Sequence, residues 1–416
     1  MTRLAVWVSH AQDGDIGGYD FDCDIGRFVG SARHPAEPVV MPMALSWARR
    51  VTLASPHAAR VSARPDGALL LAATRAENRH IVIYRVVDTA SSSISGNASI
   101  SPAVFEKTWP RLQRLGRASI ASSLAYVEID PSGRTAIGAS YGENRVSVYD
   151  VDTLLSAAGG HSAQEGDGKK RDTDIDMSRE VPPRQVIDGV AHAHAVVVSR
   201  DGRHVYVSAL GGNAVWCFTL QDGQLTVNDV VDVGAGFGPR HMRLSLAEDY
   251  LHVLSEFQGV VATYARAPET GHLTLISISP RSDGLSALIQ GRARPNFSDP
   301  DQPDPTEMAR WIWAADLQLT PDNRFLYISE RASSRIIVHA ADETHGWQPV
   351  SWIDTEAQPR GIAIDANGQY LFASGERSDF LSAYRIDSAT GALTLSDRCA
   401  SGKGANWITV AAPLAG

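Results

Sequence analysis

Apolar and polar positions along this chain interchange at a period of two over short stretches, the signature of half-buried strands. Helical spacing is almost absent. One unit recurs, a strand ending in a small residue, then a polar turn, then another apolar strand. Its seven copies are AVWVSHAQDGD, LLLAATRAEN, TAIGASYGEN, VYVSALGGN, LHVLSEFQG, LYISERASS and LFASGERSD. The small residues are Ser9, Ala73, Ser140, Ser208, Ser255, Ser329 and Ser374. Upstream of most copies lies a hairpin turn, RPDGA, DPSGR, SRDGR, TPDNR or DANGQ. Its Asp-Gly or Asn-Gly pair supplies the positive φ of a tight β-turn. Downstream, GQLTV, GHLTL and GALTL each begin with a turn glycine that opens a further strand.

Each unit therefore reads as inner strand, turn, second strand, loop, third strand, turn, outer strand. The closest spacings, Ser208 to Ser255 and Ser329 to Ser374, match the ~40–45 residues of a four-stranded propeller blade. Such a sheet cannot bury both faces alone, so blades stack in a ring. The first copy has no inner strand ahead of it, and NWITVAA from Asn406 supplies one. The expectation is an all-β, seven-bladed propeller of four-stranded antiparallel blades, closed by strands from both termini. It forms one domain over 1–416, with loop insertions near 26–50, 156–183 and 281–310. The last of these holds Phe297, Trp311 and Trp313 and reads either as a lid over one end of the ring or as a packed surface loop.

Composition narrows the partners. A net charge of −9 leaves no broad basic surface for a nucleic-acid backbone. No apolar run approaches membrane-spanning length, so the expectation is a soluble, cytoplasmic protein. Cys23, Cys217 and Cys399 are odd in number, far apart and without metal-ligand spacing, and read as reduced thiols.

The strand order then places the charged residues. An inner strand running one way and a second strand running back put the start of the first and the end of the second at one rim. Eight residues before each turn's glycine or its equivalent stands one position at the channel mouth. Gly202 leads to His194, Gly368 to Arg360, and Glu248 to Arg240; Gly67, Gly133 and Asn323 lead to Ala59, Ala125 and Ala315. The second strands end in Glu256, Glu330, Arg331, Glu376 and Arg377. Arg, His and Glu gathered at one mouth are what an anionic small-molecule site needs. The plain alternative for any one of them is a solvated rim residue. His192 and His194 fall two apart on one strand face, but no third ligand accompanies them, so no metal is expected. Strand alternation points His241 away from Arg240. Neither a phosphate-cradling loop nor a nucleophile elbow is present.

Several segments carry a resemblance: GPRHM, AHAHAVVVSRDGRHVYVSALG, WAADLQLTPDNRFLYISERASSRIIV, QPRGIAIDANGQYLFASGERSDFLSAYRID and TGALTL. They resemble the lactonase family of seven-bladed propellers, which includes propeller-type 6-phosphogluconolactonases and carboxy-cis,cis-muconate cyclases. The likeness is strongest from about His192 onward. It implies catalytic positions at His194, Arg240, Glu256 and Arg331, with Arg240, Arg331, Arg360 and His241 binding substrate. Ser255 stands where the family usually has Asn.

The implied activity is a metal-independent, cofactor-free lactonase acting on a small anionic lactone, foremost 6-phosphogluconolactone. Glu256 or His194 is the base, and arginines hold the oxyanion and the phosphate. A muconate-type cyclase and a non-catalytic binding propeller are the alternatives. Neither nucleic acid nor membrane is expected as a partner, and the residues are silent on oligomeric state.

Overall fold

The structure is a computed structural model and describes residues 3–46, 68–87, 111–159, 180–293, 303–344 and 346–411. Its strands form seven four-stranded antiparallel sheets. The first blade runs outward from Ala405–Ala411 (β28) through Arg3–His10 (β1) and Asp15–Asp22 (β2) to Arg27–Pro35 (β3). The second holds Val40–Ser46 (β4), Leu69–Thr74 (β5), His80–Val87 (β6) and Arg111–Ser119 (β7). The third holds Tyr126–Ile129 (β8), Thr135–Ser140 (β9), Arg145–Asp150 (β10) and Gln185–Asp188 (β11). In the fourth are Ala193–Val198 (β12), His204–Ala209 (β13), Ala214–Gln221 (β14) and Gln224–Asp232 (β15). In the fifth are Pro239–Leu244 (β16), Tyr250–Ser255 (β17), Val261–Arg266 (β18) and Leu273–Ile278 (β19). The sixth comprises Ala314–Leu319 (β20), Phe325–Glu330 (β21), Arg335–Ala341 (β22) and Trp347–Asp354 (β23). The seventh comprises Pro359–Ile364 (β24), Tyr370–Gly375 (β25), Phe380–Ile386 (β26) and Leu393–Ala400 (β27).

Ring closure follows the expected route, with β28 pairing with β1 so that Ser9 faces Trp407 and Val6 faces Val410. The core is shared between neighbouring sheets. Tyr206, Val215 and Cys217 of the fourth blade pack on Met242, Val253 and Tyr264 of the fifth, and similar clusters fill the other interfaces. Each blade thus buries its two faces only through its neighbours, which is why the pattern needs a ring. The five equivalent turn positions are real. Gly133, Gly202 and Gly368 have positive φ, as do Asn323 and Glu248, so the degenerate LAEDY turn keeps the backbone of the others.

The stretch 26–50 corrects an expectation. It holds the outer strand β3 and the inner strand β4, not an excursion, and β4 pairs directly with β5, Ser46 opposite Leu69. Pro42 hides β4 from a strand reading, and a bulge between Val40 and Met43 accommodates it. The inner strand of this blade therefore lies ahead of Ala59, which with the RPDGA turn to Gly67 falls outside the described residues.

Most of 156–183 also falls outside them; Val151–Ala157 (α1) leads into it, capped by Asp150. Within 281–310, a 3₁₀ turn at Asp283–Leu285 and Pro305–Met308 (α2) are described, and Phe297 is not. Leu285 and Trp311 are fully buried, and Leu285 joins the core between the fifth and sixth blades. The 3₁₀ turn is thus packed, whereas α2 buries none of its residues. No described helix is long and apolar enough to cross a membrane.

Candidate active site

Three inner strands, β12, β16 and β24, bring residues near their starts to one mouth of the channel. His194, Arg240, His241 and Arg360 border a cavity there, over a wall of Met41, Ala125, Asn406 and Trp407. Its volume is about 10 Å³, room for roughly one water. Counting back from the turns had found His194, Arg240, Arg360 and Ala125. Ala315 belongs to the same ring, and its carbonyl accepts a hydrogen bond from Arg240 Nη1.

His241 does not point away from Arg240. The register between β16 and β17 shifts between Pro239 and Met242, so Arg240 and His241 together oppose less partner strand than two residues normally would. A bulge turns both side chains to the same side. Similar shifts occur between Ala193 and Ala195, Ala314 and Leu317, and Pro359 and Gly361. The small residues closing the second strands support these irregular backbones. Ser208 Oγ accepts from Ala195 N at 3.0 Å and donates to Arg240 O at 2.6 Å, and Ser329 Oγ accepts from Asp316 N at 3.1 Å. Ahead of Arg240, Gly238 has φ +62°, and a Cβ there would run into the Phe257 ring.

The charged groups interlock. Arg331 Nη2 donates to Glu256 Oε1 at 2.6 Å, and Arg240 Nε lies 3.1 Å from Glu256 Oε2. All three residues are buried, Arg240 at 1% exposure. Arg331 stands behind Glu256 and not on the cavity wall; its Nε donates to Trp313 O at 3.0 Å and its guanidinium lies over the Trp313 ring. Arg360 is half-buried and donates to Glu376 Oε1 at 2.9 Å. Three guanidiniums thus meet two carboxylates in direct ion pairs, and the Asp316 carboxylate acts on Arg240 from behind His241. Arg240 Nη2 has no hydrogen-bond partner among the described residues.

Burial shifts these groups in different directions. It would raise the Glu256 carboxyl, but Arg331 and Arg240 outweigh it and hold the group below its ordinary value. It brings the Arg240 guanidinium down to about 9, opposed by Glu256 and aided by Arg331 and Arg360, so the charge survives at neutral pH. His194 is pushed well below its ordinary value, first by burial and then by Arg240, His241, Arg360 and Arg331. Burial and Arg240 push His241 down to about 4. Both imidazoles are neutral at pH 7.

Other expected residues fall elsewhere. Glu330 is fully buried but caps a loop, accepting from Trp313 N at 2.8 Å, Ser333 N at 2.6 Å and Ser333 Oγ at 2.6 Å. Arg377 is exposed. His192 does not share a strand face with His194. It precedes β12 at φ +48° and stacks on Tyr141, ring centroids 4.3 Å apart. Among the described residues, the group spaced to hold a metal is His10, Asp13 and Asp15, where Arg33 already bridges both carboxylates at 2.6 Å.

Sequence reasoning missed Asp316. Its Oδ1 lies 2.7 Å from His241 Nδ1, and its carboxylate also accepts from Leu317 N and Ile362 N. Its position immediately after Ala315, on the mouth ring, was the available signal. Trp407 and Asn406 were read as ring-closing residues and also line the cavity.

By fold and site, the chain is a seven-bladed propeller with a knot of guanidiniums, imidazoles and carboxylates at one mouth. It belongs to the lactonase family of seven-bladed β-propellers, whose family description matches residues 89–410. It is 30% identical over 305 residues to the 6-phosphogluconolactonase of Serratia proteamaculans, covering 72% of this chain and 78% of that protein. The 6-phosphogluconolactonase of Photorhabdus laumondii is also 30% identical, over 306 residues, with coverage of 72% and 78%. In fold the chain is similar to a periplasmic gluconolactonase of Pseudomonas aeruginosa, with a TM-score of 0.68 at 18% identity, covering 99% of this chain and 100% of that one.

Proposed function

We propose that the protein hydrolyses 6-phosphogluconolactone to 6-phosphogluconate without a metal ion or other cofactor. The observation that carries this reading is the cluster of Arg240, Arg331 and Arg360 paired with Glu256 and Glu376, beside two neutral imidazoles. Lactone hydrolysis needs positive charge where the carbonyl oxygen becomes an oxyanion, and a neutral base for the attacking water. Arg240 Nη2 is the free donor for the oxyanion. A guanidinium keeps its charge and its fork geometry, so it supplies what a metal ion would otherwise provide. The small cavity takes the attacking water beneath the lactone carbonyl, while the phosphate stays at the rim near Arg360. Arg331 acts through Glu256, holding the carboxylate that in turn orients Arg240. The relatives named above support the phospholactone as substrate, and the three free cysteines suit a reducing compartment such as the cytoplasm.

The test is a rate measurement on freshly made 6-phosphogluconolactone, corrected for spontaneous opening, beside carboxymuconate. Acceleration of the phospholactone well above blank is expected. Faster turnover of carboxymuconate would transfer the pocket to a cyclase reading, and no turnover of either would leave a binding propeller.

A further inference from the structure

Three side chains compete for the role of base. Glu256 is the obvious carboxylate, yet both its oxygens are engaged, Oε1 by Arg331 and Oε2 by Arg240. Taking a proton would break the ion pairs that hold two buried guanidiniums together. His194 lines the cavity, but its Nδ1 is buried without a hydrogen-bond partner and no carboxylate contacts the ring. An imidazolium formed there would face Arg240, Arg360 and Arg331 with no carboxylate against the ring. His241 differs on both counts. Its Nδ1 lies 2.7 Å from Asp316 Oδ1, and Nε2 has no partner among the described residues. The Asp316 carboxylate is itself buried and fixed by Leu317 N at 2.9 Å and Ile362 N at 3.1 Å. It can only accept, so the proton of a neutral His241 sits on Nδ1 and the lone pair on Nε2.

We propose that His241 is the general base of the lactonase reaction and Asp316 its positioning residue, with Glu256 confined to holding the arginines. The proposal rests on the lactonase reading and goes beyond it by assigning the proton. Water gives one proton to His241 Nε2 while its oxygen bonds to the lactone carbonyl carbon. The carbonyl π pair moves onto the oxygen facing Arg240. Collapse of that tetrahedral species restores the carbonyl and breaks the ring C–O bond, whose oxygen takes the proton back from Nε2. The product acid then ionises to solvent. Asp316 orients the ring and stabilises the imidazolium between these steps, the role a carboxylate plays behind a catalytic histidine.

The groups facing the His241 ring are Arg240, Asp316, Arg243, His194, Tyr126 and Trp407. Burial and then Arg240 lower the imidazole, and Asp316 raises it in part. Base catalysis is lost on the acid side of that value, so the rate falls as pH drops toward about 4. An anionic substrate beside Arg240 offsets part of the guanidinium's effect and moves the limb up in the bound enzyme.

Phospholactonase kinetics from acid to neutral pH, on the parent and the variants His241→Gln, His194→Gln and Asp316→Asn, test this. His241→Gln is expected to lower kcat by ~10²–10⁴-fold with little change in KM, and His194→Gln to lower it by less than about tenfold. Asp316→Asn presents an amide N–H to Nδ1, forces the proton onto Nε2, and lowers kcat by up to about 10⁴-fold. It also moves the acid limb to lower pH, a shift that a merely structural residue would not produce; the substrate's own ionisation is common to all variants. A second readout needs no turnover. Nitrogen-15 NMR of the parent at pH 7, with His241→Gln assigning the signal, is expected to show Nδ1 protonated and Nε2 bare. Turnover of folded His241→Gln close to the parent's, or an Nε2-protonated His241 in the parent, overturns the assignment. A parent that opens the phospholactone no faster than blank overturns the lactonase reading instead, and the tautomer then shows separately whether the dyad is built as argued.

Discussion

Glu256→Gln tests whether this carboxylate is a clamp for arginines. The substitution keeps shape and removes the charge from a group that is 6% exposed and bonded by Arg331 at 2.6 Å, with Arg240 at 3.1 Å. Two buried guanidiniums would then face each other with no anion between them. Breaking a buried ion pair by removing one partner costs ~3–5 kcal/mol. Unfolding entropy of about 2.1 cal/mol/K per residue over 416 residues gives about 0.9 kcal/mol per kelvin near the midpoint. The variant should therefore melt ~3–6 °C below the parent at pH 7. The sign of the pH dependence follows from the depressed carboxyl. A folded value below the unfolded one contributes stability that is present above the unfolded value and is lost as pH falls through the folded one. The gap between parent and variant should be full at pH 7 and close below about pH 4.5. Protonation of His194 and His241 in acid weakens both proteins and cancels in the difference. Differential scanning calorimetry with and without phosphate is the assay. Added phosphate should stabilise the variant more than the parent, because it replaces the missing anion. Equal midpoints at pH 7, or a gap that does not change in acid, would refute the electrostatic reasoning.

Arg360→Ala removes a rim contact that persists from bound substrate to transition state, so it should raise KM with kcat nearly kept. A charged hydrogen bond worth ~1.5–3 kcal/mol makes that rise roughly 10–100-fold, read by steady-state kinetics. Chelator should leave the activity unchanged, and loss restored by a divalent ion would contradict the metal-free mechanism. Ending the chain at Gly404 deletes β28 and opens the ring between the first and seventh blades, where Ile408 packs among Val6, Val8 and Phe372. Cooperative melting followed by circular dichroism should be lost or strongly lowered, and an unchanged transition would show that the ring does not depend on this strand.

The fold was legible because its evidence is local and repeated. Seven strand ends and five hairpin turns each obey rules that hold over a few residues, and a missing first inner strand left one place for Trp407. Blade two escaped because Pro42 and the long stretch before Ala68 broke that local pattern, although β4 pairs with β5 as any inner strand does. The channel-mouth ring was legible for the same reason as the fold, by counting from a turn whose backbone is fixed.

The direction of individual side chains on that ring was not legible, and the cause is the bulge. Alternation predicts that His241 and Asp316 leave the mouth on the far side from Arg240 and Ala315. A one-residue register shift reverses this in both strands. Such a shift leaves no apolar signature, because it exchanges polar neighbours at a strand's end; in β20 and β12 its trace is the serine opposite, which satisfies an amide the regular ladder would have paired. Ser208 and Ser329 were visible as small residues at strand ends, but small residues there also suit plain close packing. The bulges therefore explain why the fifth blade can present two adjacent side chains, Arg240 and His241, to one pocket, and why a carboxylate in the sixth blade reaches an imidazole in the fifth. A regular seven-bladed ring offers one inward residue per blade at each level. A site that needs a guanidinium, an imidazole and a carboxylate behind it requires more, and the irregular strand starts supply it.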